Sequence, residues 1–233
     1  MDTMKKLYLI ILTVFLAVPA FAQKEVTAPS LYKTENGVFS VTTLSHVGWG
    51  YHFVESEDFE PKGSGEVFFN VLNFNIYPAD VFGIELGLDC KWTYIGSRTS
   101  YFYLDSDHRV QALEFSKIMS VDEKKKTRSA VESFALSVPV VAKFNFGSFQ
   151  IGGGAEANFN LTGDSFYRYG DKDMRMTIEE NNVKLNTFSY NLVGFVGISN
   201  VHVFGKFYPK ASRFLAEGSV PFKYWTLGVA VTL

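Results

Sequence analysis

The sequence predicts an all-β fold, an eight-stranded antiparallel up-and-down transmembrane β-barrel, on three observations. Apolar residues alternate with small or polar ones through eight segments. The connections between segments alternate strictly between short turns and long polar loops. Aromatic pairs ten residues apart, Phe39/Trp49, Phe82/Trp92, Phe134/Phe144 and Phe149/Phe159, bracket four of the apolar faces. A strand rises about 3.3 Å per residue, so ten residues tilted by about 40° cover roughly 25 Å, the apolar height of an outer-membrane barrel. With 3 Trp, 12 Tyr and 23 Phe in 233 residues, about six such pairs arise by chance, so the spacing counts only where period and turns agree with it.

The chain opens on Lys5 and Lys6, an apolar run from Leu7 to Val18, and Pro19-Ala20-Phe21-Ala22 before Gln23. This reads as a secretory signal peptide over 1–22, cleaved near Ala22. The run is too short for a spanning helix, which needs about 20 apolar residues. Residues 23–36 are expected to form an N-terminal periplasmic lead, and 37–233 the barrel domain. The near-neutral charge, −2 overall, gives no sign of a nucleic-acid partner, and none is expected. The single cysteine, Cys90, cannot form an internal disulfide, so an exported fold must rest on burial and hydrogen bonding. A closed sheet meets that demand.

The first segment, Val38 to Phe53, opposes Phe39, Val41, Val47, Trp49, Tyr51 and Phe53 to Ser40, Thr42, His46, Gly48, Gly50 and His52. The second, Glu66 to Tyr77, is ambiguous around Phe68-Phe69, where a bulge is expected to switch the face. In the third, Phe82 to Tyr94, every charge falls on one side: Glu85, Asp89 and Lys91 oppose Phe82, Ile84, Leu86, Leu88, Cys90 and Trp92. The fourth, Ser133 to Phe146, sets Phe134, Leu136, Val138, Val140 and Phe144 against Ser137 and Lys143. Its Pro139 lacks an amide hydrogen, so irregular pairing is expected there. Phe149 to Leu161 is the fifth, with Glu156 and several glycines opposite its apolar set. Thr187 to Ile198, Val201 to Pro209 and Phe222 to Leu233 complete the eight.

Residues 78–81, 147–148 and 199–200 are the short turns. Residues 55–65, 96–132, 162–186 and 210–221 are the long loops, expected outside the cell with the turns in the periplasm. This orientation gives an outer aromatic girdle of Trp49, Tyr51, Trp92, Tyr94, Phe134, Phe159, Tyr190 and Trp225, with Phe53 and Phe188. The inner girdle is Phe39, Tyr77, Phe82, Phe144 and Phe149, with Phe146. Glycines concentrate on the polar face, where a narrow lumen needs room for larger neighbours. Glu85, Asp89, Lys91, Lys143, Glu156 and Lys206 are then expected to pair inside that lumen and plug it, because an unpaired buried charge costs several kcal/mol.

The turn Tyr77-Pro78-Ala79-Asp80-Val81-Phe82-Gly83, the stretch from Leu136 to Phe144 and the closing Leu227-Gly228-Val229-Ala230-Val231-Thr232-Leu233 resemble the PorT-like outer-membrane β-barrel domain family of Gram-negative bacteria, over roughly residues 37 to 233. The resemblance implies that Pro139 is tolerated and that the last strand addresses the barrel-assembly machinery, although Leu233 stands where an aromatic usually ends that signal.

Chemistry-bearing residues have bland readings. Asp105, Ser106, Asp107 and His108 supply the residue types for acyl transfer, but a triad is set by geometry and not adjacency. A solvated loop is expected. His46 and His52 are read as lumen packing, the acidic stretch Glu55, Glu57, Asp58 and Glu60 as solvated, and Cys90 as a small lipid-facing hydrophobe. Lys124-Lys125-Lys126 with Arg128 would meet lipopolysaccharide phosphates at the outer surface. Tyr167, Tyr169 and Asp164 to Asp173 offer a ligand or partner surface. The function expected is a non-enzymatic integral outer-membrane protein with no cofactor or bound metal, in contact with outer-membrane lipids, whose loops serve binding, adhesion or scaffolding. The alternatives are a lipid-modifying barrel enzyme and a soluble periplasmic barrel holding an apolar ligand.

Overall fold

The computed structural model describes residues 32–34, 37–79, 81–115, 128–170, 175–209 and 213–233; the signal peptide and Lys124 to Lys126 lie outside them. β2 (Gly37–Thr43) and β3 (His46–Glu55) form one barrel strand, interrupted at Leu44 with φ of 51°. Both pair with β4 (Gly65–Ala79). The ring continues through β5 (Phe82–Ser97), β8 (Arg128–Phe146), β9 (Phe149–Gly170), β11 (Phe188–Ile198), β12 (Val201–Phe207) and β13 (Lys223–Thr232), which returns to β3. All pairings are antiparallel, so eight strands close an up-and-down barrel. β1 (Tyr32–Thr34) adds to β2, β10 (Arg175–Asn181) adds to β9, and β6 (Ser100–Leu104) with β7 (Val110–Glu114) makes a separate hairpin.

Closure requires tilt, and the register displays it. The pairing runs from Val47 to Phe69, Cys90, Leu136, Phe159 and Phe188. It begins at the short-turn end of β3 and finishes at the long-loop end of β11. The turns are tight, with Gly147 at φ 67° and Ser199 at φ 54°.

Burial is inside out. Asn70, Asn158, Asn191, Thr226, Glu66 and Glu156 are at most 2% exposed, whereas Trp49, Leu192 and Phe188 are more than half exposed. A water-soluble barrel would bury its apolar face and wet its polar one; this protein does the reverse on every strand of the ring. The soluble ligand carrier expected as an alternative does not fit this surface. Apolar side chains forming the whole outer wall need an apolar solvent, which a bilayer supplies.

Two irregularities refine the expected register. The bulge of β4 lies at Val71, between the Asn70/Asp89 and Leu72/Leu88 pairs, a little beyond Phe68-Phe69. It moves the inward set from Glu66, Phe68 and Asn70 to Asn73 and Asn75. Tyr77 therefore turns into the lumen and does not join the inner girdle: its ring lies 5.3 Å from the Lys143 ammonium. Pro139 keeps its place in the ladder to β9, opposite Glu156, whereas the ladder to β5 skips Gly87 and Leu88 without any change of register. Gly87 leaves space for the proline ring, since a Cβ there would stand 2.8 Å from Pro139 Cγ.

Candidate functional site

The lumen is filled by charge arranged in pairs. Lys206 on β12 holds Glu66 at 2.7 Å and Glu156 at 2.9 Å, and Glu156 also takes Lys91 at 2.6 Å. Two lysines and two glutamates from four strands thus cancel. Tyr208 donates to Glu66 at 2.6 Å, Asn191 donates to Glu156 at 3.3 Å, and Lys91 also donates to Asn158. The Lys206 ammonium stands 4.4 Å from the Phe68 ring centre, a cation–π contact that desolvation strengthens. Nearer the short turns, Lys143 bridges Glu85 and Asn75, both at 2.8 Å. Asp89 accepts from Asn70 at 2.7 Å and has His46 at 3.9 Å.

All six charges named from the sequence therefore face the lumen. Glu66, at the centre, is not among them. Phe68 also points inward, over Gly48 on the facing strand, and an apolar residue on the polar side hides the alternation Glu66, Phe68, Asn70. Space left by a glycine is the signal that exposes it.

The aromatic residues named for the girdles face outward, apart from Tyr77. Trp225 stacks on Phe53 at 4.0 Å, Trp92 meets Phe134 at 4.8 Å, and Phe82 meets Phe144 at 5.2 Å. Trp49, Tyr51, Phe159 and Tyr190 are exposed toward the long-loop end, and Phe144 and Phe149 toward the short turns. Phe39 lies on the outward side beside Phe74 at 6.3 Å. Tyr94 meets Phe166 at 6.1 Å, and Cys90 pairs with Phe69 and Leu136 on the same outer face.

The long connections are not the solvated loops expected. Strand pairing runs on to Arg128, Gly170 and β10, and the connections close over the barrel mouth around a hydrophobic core of their own. Phe59 comes from one connection, Phe102 and Val110 from the β6–β7 hairpin, Val183 from a third, and Phe214, Leu215 and Val220 from the last. They pack on Ile95, Val131 and Tyr224 of the barrel strands. Backbone hydrogen bonds stitch the connections together: Lys184 N–H to the His108 carbonyl and Val220 N–H to the Val110 carbonyl, both 2.7 Å. The Asn186 amide donates to the Arg213 and Leu215 carbonyls at 2.8 Å.

Within this lid, Asp105 ties a turn. Its carboxylate accepts from the Arg109 and Asp107 amides at 2.9 Å, hydrogen bonds that hold its pKa below the usual range. Asp107 in turn pairs with Arg109 at 3.0 Å. Tyr167 is buried against Tyr101 at 5.0 Å and Phe115 at 5.5 Å, and so offers no open partner surface. His52 shares a hydrogen bond with Thr226 at 2.7 Å, far along the strand from His46.

No protein-family model matches the chain, and no curated protein matches it in sequence. Among solved structures it is similar to Ail, the attachment invasion locus protein of Yersinia pestis, crystallised with the heparin analogue sucrose octasulfate. The identity is 9%, the match covers 85% of this chain and 99% of that one, and the TM-score is 0.34.

Proposed function

We propose that this protein is a non-enzymatic integral outer-membrane protein whose closed barrel anchors a folded platform, made by the long connections, at the cell surface. The inside-out burial carries the reading: an apolar outer wall around a charge-paired lumen suits a membrane and little else. The lid supports a role in binding, adhesion or scaffolding, because loops with a shared core present one fixed surface. The PorT-like resemblance belongs to this reading, as do export after cleavage near Ala22, contact with outer-membrane lipids and delivery by the barrel-assembly machinery. The experiment is heat-modifiable migration of the membrane-inserted mature chain on a denaturing gel, with carbonate washing of the membranes. Compact migration lost on boiling, together with resistance to carbonate, is expected. Release into the soluble fraction, or identical migration before and after boiling, would overturn the reading.

A further inference from the structure

Arg128 and Arg168 are direct cross-strand partners on β8 and β9. Their neighbours Ser129 and Tyr167 point inward, at 0% and 7% exposure, so the two guanidinium groups share the outward face. Like charges directly opposite each other on one face destabilise a sheet unless something anionic joins them. A third cation, the exposed Arg98, follows Ser97, which pairs with Ser129 on the other edge of β8.

Both guanidinium groups lie close to aromatic rings. Arg128 lies 5.0 Å from the Tyr94 ring centre and donates from Nε to the Tyr94 hydroxyl at 2.7 Å. Arg168 lies 5.7 Å from the Phe166 ring centre, and its Nε is shielded from solvent with no hydrogen-bond acceptor. Contacts of this kind restrain the guanidinium heads, whose terminal N–H groups can bind a tetrahedral oxyanion bidentately.

Carboxylates stand nearby, and Glu132 interacts electrostatically with both arginines without forming a close ion pair with either. Glu132 and Asp164 oppose each other, with Glu179 also acting on Glu132. Among the described residues none of the three comes within 4.0 Å of either guanidinium group.

The level on the barrel is informative. The outward face turns from apolar to charged between Phe134 and Glu132 on β8, and between Leu161 and Asp164 on β9. Arg128 lies four residues beyond Glu132, or about 10 Å higher for a strand tilted by about 40°. The pair thus stands just above the apolar wall, where long arginine side chains can reach down to headgroup phosphates.

We infer that Arg128 and Arg168, with Arg98 alongside, form a binding site on the outer wall for the phosphate of an anionic lipid headgroup. This rests on the membrane reading proposed above. The full mature chain is reconstituted in phosphatidylcholine vesicles containing either bisphosphorylated lipid A or its dephosphorylated form, extracted in mild detergent, and analysed by native mass spectrometry for retained lipid. Bisphosphorylated lipid A is expected to be retained, and R128Q/R168Q to retain at least about tenfold less, since even one charge-assisted contact is worth about that much. R128K/R168K should fall between them, since a lysine keeps charge without the fork. Inorganic phosphate in excess should not displace the lipid.

Equal retention by R128Q/R168Q, or equal retention of the dephosphorylated lipid, would overturn the inference. Displacement by inorganic phosphate would overturn it too, marking a site for the free ion. If the double variant does not insert, the single R168Q variant is read by the same criteria. Carbonate resistance and heat-modifiable migration of each variant separate failure of this site from failure of the membrane reading.

Discussion

Lys206 is held between two glutamates in a lumen that water does not reach, being 4% exposed with Glu66 and Glu156 both at 2%. Its role is electrostatic balance. Replacing it by methionine keeps the bulk and leaves two carboxylates facing one remaining lysine, Lys91. Breaking a buried pair by removing one partner typically costs about 3–5 kcal/mol, because the other charge stays behind uncompensated. Lys206→Met should therefore lower the temperature at which the compact band is lost on heating. The double variant K206M/E66Q restores neutrality and should recover much of that loss, because Tyr208 can still donate to the amide oxygen that the second substitution places at position 66. Densitometry of unboiled samples over a temperature series measures both. A double variant no better than K206M would show that geometry, and not charge balance, holds the network together.

Elements separate into those legible from alternation and those that are not. The eight barrel segments are readable because a bilayer on one side and a polar lumen on the other impose a period of two, which Phe82 to Tyr94 displays without exception. Tyr77 escapes because a single extra residue at Val71 reverses the facing of the side chains that follow it as far as Tyr77, and a bulge leaves no compositional mark there. The lid escapes for a different reason. Phe59, Phe102, Phe214 and Val220 are scattered among charged and polar residues with no common period, and only tertiary contact brings them together. An element held this way has its own test. Phe102 is 1% exposed and packs edge-on against Phe59 at 4.9 Å; truncating a buried phenylalanine to alanine costs about 3–5 kcal/mol. Phe102→Ala should make the connections susceptible to protease at the cell surface while leaving the membrane-inserted strands protected. Mass analysis of the protected fragments distinguishes the outcomes, and loss of the strands as well would mean that lid and barrel form a single cooperative unit.

At the scale of the whole molecule, two closures stand in series along the barrel axis. One is the hydrophobic lid at the long-loop end, and the other is the charge network across the middle, backed by Phe68, Phe204 and Phe195. They differ in kind: the lid excludes water by apolar packing, whereas the network occupies space with paired ions and ordered amides. An eight-stranded ring has an interior only just wide enough for side chains, so the network alone fills it. The lid then has no need to act as a gate, and its stability serves the shape of the surface it presents. This makes a specific forecast for the F59S/F102S variant, in which two hydroxyls enter the lid core and loosen it. In planar bilayers the variant should show no more discrete conductance steps than the parent protein, because Lys206, Glu66, Glu156 and Asn158 still block the axis beneath it. Regular steps appearing in F59S/F102S and absent from the parent would place the seal in the lid and make the protein a gated channel. Their absence, alongside raised protease sensitivity of the connections, separates the two closures: the network keeps the membrane tight and the lid shapes the surface above it.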